Sequence, residues 1–112
     1  MVVSMTSEWS DSDLDDLIEE ILVDAFGGGE QLGAFECACS EAEFPVASLA
    51  IHVPVAMTGV WFAGDERRGL EADVLVEGQA HRIRLLDVRI LDGSSDIARL
   101  LAAFRRWWVP YE

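Results

Sequence analysis

Asp24, the triplet Gly27-Gly28-Gly29 and Glu30 are the residues best spaced for chemistry in this 112-residue chain. A hard cation such as Ca²⁺ takes roughly six to eight oxygens from carboxylates, backbone carbonyls and water. A glycine-rich loop at a helix end exposes unpaired carbonyls beside the two acids. An ordinary glycine C-cap with solvated acids accounts for the same residues at least as well. The neighbouring stretch Asp11-Ser12-Asp13-Leu14-Asp15-Asp16 invites an EF-hand reading. It fails at the sixth position, where Asp16 stands in place of the glycine the turn needs, and at the twelfth, where Leu22 replaces a bidentate glutamate.

Other reactive residue types lack partners at useful spacing. Cys37 and Cys39 sit too close along the chain to bridge comfortably and supply half of a zinc site, which His52 and His81 would both have to complete. They read better as two small thiols on a helix. Neither histidine has a Ser, Cys or Asp at the spacing of a catalytic triad. The glycine triplet follows a helix rather than a strand and has no lysine, so it is no phosphate loop. The expectation is a protein that is not an enzyme.

The elements that carry these residues follow from hydrophobic period. Ser10 and Ser12 precede Leu14, Leu17, Ile18, Ile21, Leu22 and Ala25, which predicts an amphipathic helix from Asp13 to about Phe26. Asp13, Asp15 and Asp16 favour the positive end of its dipole, and the glycines stop it. A second helix is expected from about Glu30 to Ala42. After Phe44-Pro45 the texture turns to β-type runs at Val46–Val53, Val55–Phe62, Leu70–Val76 and His81–Ile90, separated by Pro54 and by two turn-rich segments. A last helix starts at Ser94-Ser95, carries Ile97, Leu100, Leu101, Phe104, Trp107 and Trp108, and ends at Pro110, with Arg105 and Arg106 expected to point outward. The predicted class is α+β: two N-terminal helices, a small antiparallel sheet or SH3-like barrel of about four strands, and a C-terminal helix. Residues 1–112 read as one domain with residues 1–10 frayed.

Composition sets the broad class. With 51% hydrophobic and 26% charged residues the balance is globular rather than disordered. No apolar run approaches the length of a membrane span, and Met1 to Ser10 lacks a basic region followed by an apolar stretch, so a cytoplasmic location is expected. The net charge of −13 is unevenly spread: residues 1–46 hold twelve Asp or Glu and no Arg or Lys, while the other 66 hold nine acids and all eight bases. Such a field concentrates cations, disfavours nucleic acid, and suits a basic protein partner of an inhibitor, immunity or nucleic-acid-mimic type as the alternative function.

Against that background the run from Asp24-Ala25-Phe26 through the glycines to Glu30-Gln31-Leu32-Gly33-Ala34-Phe35, followed by Phe44-Pro45-Val46, resembles the signature of the small acidic calcium-binding proteins of the CcbP type. Leu85-Leu86-Asp87-Val88 and the closing Trp107-Trp108-Val109-Pro110-Tyr111 are similar to that family's leucine-aspartate strand and tryptophan-rich C-terminal helix. The central strands, Leu49 to Arg82, match in character alone. The resemblance implies Ca²⁺ binding linked to calcium buffering or signalling. Asp24 and Glu30 are the expected ligands, and Glu41, Glu43 and Asp87 would complete the shell if the sheet folds back on the second helix. The family's first glutamate falls on Gly28 here, which removes one carboxylate and moves the expected affinity towards the weak range, on the order of 10⁻⁴ M or poorer.

Overall fold

The computed structural model describes residues 9–64 and 68–108. Helix α1 (Asp11–Ile21) is followed by α2 (Gly28–Ser40), strands β1 (Val46–Ala50), β2 (Val53–Phe62), β3 (Leu70–Val76), β4 (Gln79–Arg84) and β5 (Val88–Ile90), and helix α3 (Asp96–Trp108). The expected α+β arrangement is present, with three helices and an antiparallel sheet of order β4-β3-β2-β1-β5. No helix among the described residues is long and apolar enough to cross a membrane. Pro110 and Tyr111, with the helix end expected there, and most of the first ten residues lie outside the described ones.

The sheet has five strands rather than about four. The run His81–Ile90 is interrupted by a 3₁₀ turn at Leu85–Asp87, so that β4 stays with β3 while β5 crosses to pair with β1, Ser48 opposite Ile90 and Ala50 opposite Val88. The break expected at Pro54 falls earlier. Pro54 lies inside β2 opposite Leu49, and the chain reverses at Ile51-His52 with φ of 48° and 70°. Glu77-Gly78 turns β3 into β4 the same way, at φ of 51° and 84°. Two consecutive positive φ values match the right-handed twist of flanking strands, which is why two-residue hairpin loops use them.

Helices α1 and α3 start where side chains satisfy their free N–H groups. Ser10 Oγ accepts from the Asp13 N–H at 3.1 Å, and Ser95 Oγ accepts from the Ala98 N–H at 3.3 Å. Helix α1 ends at Ile21, short of the expected Phe26, and α2 begins at Gly28, so the glycine triplet is divided between a loop and the start of the next helix. The buried cluster joins Leu14 and Leu17 of α1, Leu32, Phe35 and Cys39 of α2, and Ile97, Leu101 and Phe104 of α3 to Met57, Val74 and Val88 of the sheet. Phe35 is fully buried, with its ring centroid 5.5 Å from Phe104 in edge contact and 5.1 Å from Trp107. These contacts hold α2 to α3.

Candidate metal loop

The α1–α2 loop runs from Leu22 to Gly27. Its backbone closes through the Ala25 N–H donating to the Leu22 carbonyl at 3.0 Å, and Gly27 turns the chain at φ 94°, a conformation that favours glycine. Glu30 stands in the first turn of α2 and reaches back, its Oε1 accepting from the Phe26 N–H at 2.9 Å. The bond reaches one residue beyond the N-cap, Gly27, and it keeps a carboxylate at the positive end of the helix. Asp24 is exposed in the loop, between Val23 and Phe26, which are 69% and 78% exposed.

The other expected ligands stand elsewhere. Glu41 is the C-cap of α2, Glu43 lies in the connection to β1, and Asp87 ends the 3₁₀ turn beside Arg89 and Arg105. No three of these five carboxylates converge, and among the described residues no group of three or more Asp, Glu, His or Cys side chains is placed to hold a metal. The loop offers donors of the right kind for a hard cation: the Asp24 carboxylate, the second oxygen of Glu30 and backbone carbonyls. It offers them without a preformed shell.

Two functional-looking groups turn out to hold the fold. Glu36 Oε2 accepts from the Phe62 N–H at 2.7 Å and ties α2 to the end of β2. Arg105 does not point outward as expected: it is half-buried, and its Nη2 donates to the carbonyls of Val88 in β5 and Leu86 in the 3₁₀ turn. The only sequence signal for either was charge. His52 occupies a hairpin turn rather than a strand, and His81 stands exposed on β4.

The same fold occurs in known structures. The chain is similar to that of "The crystal structure of Anabaena CcbP", with 20% identity and a TM-score of 0.73 over 94% of this chain and 95% of that one. It is equally similar to a "Calcium binding protein in the calcium-binding form", with 20% identity and a TM-score of 0.73 over 96% and 97% of the two chains. No protein-family model and no curated protein matches. At this identity the likeness establishes the fold, and it is the fold of the family that the sequence resembles.

Proposed function

We propose that this chain is a non-enzymatic, acidic calcium-binding protein serving calcium buffering or signalling, with Asp24 and Glu30 as ligands in the α1–α2 loop. The observation that carries the reading is the likeness of fold over nearly the whole chain to two proteins, one of them a calcium binding protein in its calcium-binding form. The oxygen-only donors of the loop support it. Glu41 and Glu43 are the acids available to approach if the loop adjusts on binding. Asp87 would have to take a cation against the charge of Arg89 and Arg105, which share its cleft. With Gly28 in place of a carboxylate and no preformed shell, the affinity expected is on the order of 10⁻⁴ M or weaker. Isothermal titration of Ca²⁺ and Mg²⁺ into chelator-treated protein tests the proposal. Saturable Ca²⁺ binding at low millimolar concentration, stronger than Mg²⁺, supports it; heats indistinguishable between the two ions and simple salt reject it.

A second reading is favoured by one observation. Val23 and Phe26 are exposed, and Glu19, Glu20 and Asp24 lie close to them along the chain, a mix of apolar and acidic side chains that suits a basic, partly apolar protein partner. Such docking would weaken steeply with salt and would not require calcium.

A further inference from the structure

Away from the acidic helices, a cleft of about 360 Å³ lies where the β1–β2 turn, the 3₁₀ turn, β5 and the last turns of α3 meet. Its polar groups are His52, Asp87, Arg89 and Arg105. In a chain of net charge −13 this cleft carries two guanidinium groups against one carboxylate. Leu49, Ile51, Leu86 and Val88 complete its lining. Arg89 and Leu49 are paired across β5 and β1 and so share a face of the sheet.

One of the two arginines is held in place at a cost. Arg105 is fixed by its Nη2 donating to Val88 and Leu86, which leaves its Nε–H and Nη1 without a protein partner among the described residues. Burial first, and the charge of Arg89 second, push the Arg105 guanidinium below its ordinary value, while Asp87 holds it up. Arg89 is exposed and has no ion pair among the described residues. The lip is also unusual. Ile51 has φ 48° and is 75% exposed, although a β-branched residue is poorly suited to the left-handed region and gains little from burial here. Asn-Gly would make this turn without strain.

We infer that this cleft binds the carboxylate of a small, partly apolar organic acid, with Arg89 and the free N–H groups of Arg105 taking the oxygens and Leu49, Ile51 and Leu86 taking the apolar part. A planar guanidinium fork matches a carboxylate, and the volume falls in the range of small-molecule sites. An added anion relieves the repulsion between two cations that Asp87 offsets only in part.

The test is a titration of ¹⁵N-labelled protein with sodium benzoate, inorganic phosphate and chloride at matched ionic strength, followed by amide shifts. Benzoate is expected to give saturable shifts confined to Ile51, His52 and the residues around Arg89. Arg89→Gln is expected to weaken binding about tenfold, the loss of one charge-assisted contact, whereas Arg99→Gln, which removes the same charge outside the cleft, leaves it unchanged. Shifts spread over the molecule, equal effects of chloride, or equal losses in the two variants would overturn the site. Phosphate perturbing the same amides as strongly as benzoate would overturn the choice of a carboxylate with an apolar body. Neither result depends on calcium, so this inference and the calcium reading fail separately.

Discussion

Arg106 of α3 holds Asp15 of α1 with two parallel hydrogen bonds, Nε to Oδ1 at 2.7 Å and Nη2 to Oδ2 at 3.1 Å, and its Nη1 lies 3.4 Å from Asp11. The last turn of the last helix thus returns positive charge to the most acidic part of the chain. Both partners are exposed, so salt screens the pair. The Arg106 guanidinium hydrogen-bonded to Asp15 holds that carboxyl below its ordinary value. A carboxyl whose value falls on folding adds stability above its unfolded value, about 3.9, and loses it as pH drops through the lower folded value. In urea unfolding, Arg106→Gln should be less stable than the parent at neutral pH. The gap should narrow below about pH 4 and in high salt. A gap independent of both would mean the side chain acts through packing.

Helix α1 has one face for the core and one for solvent. Leu17 to Ala should cost about 2–5 kcal/mol and Phe35 to Ala about 3–5 kcal/mol, because both are buried and would leave cavities. Glu19 to Ala, on the exposed face, should lie within about 0.5 kcal/mol of the parent. Chemical denaturation checks this, and similar small effects at all three would contradict the packing.

Gly69 combines a left-handed backbone with a close neighbour. At φ 67° an added Cβ would meet two ring carbons of Trp108 at 3.1 Å. Gly69→Ala should lower stability by about 1–3 kcal/mol. Gly78→Ala, at φ 84° with open space around it, should cost less. Equal shifts in thermal midpoint would remove the Trp108 contact from the explanation.

The two cysteines should behave differently. Cys37 is exposed, whereas burial, with the nearby Glu36 charge, pushes the Cys39 thiol up to about 12. The thiolate is the reactive form. A disulfide reagent at pH 8 should therefore titrate one thiol promptly and the second after denaturant is added.

Local signals carried most of the helices and strands. The period through Leu14 and Leu17, the serine caps at Ser10 and Ser95, and the turn residues Glu77-Gly78 all sit where the sequence places them. What stayed hidden depends on distant partners. The return of β5 to β1 is a pairing between Val88 and Ala50 that no local pattern announces, so His81–Ile90 reads as one strand. The glycine triplet reads as a stop for α1, yet Glu30 reaching back to Phe26 makes Gly28 the start of α2. Glu36 and Arg105 look like surface charge until the backbone groups they satisfy come into view. Asp24 in the loop and Glu30 in the first turn after it are near in sequence, whereas whether Glu41, Glu43 and Asp87 join them depends on tertiary packing, and no three of the five converge.

Calorimetric titration of Ca²⁺ into the parent and its variants tests the α1–α2 loop as the calcium site most directly. Asp24→Asn and Glu30→Gln each delete a charged ligand and keep the shape, so each should remove most of the Ca²⁺ heat. Gly28 is the first residue of α2 and lacks the positive φ of Gly27, so Gly28→Glu fits the backbone and should tighten binding. Neutralising Asp13 or Glu20, on exposed α1, should change binding slightly, through the screened field alone. Unchanged Ca²⁺ heats in Asp24→Asn, Glu30→Gln and Gly28→Glu alike would contradict the account and leave the likeness to the two known structures a likeness of fold alone.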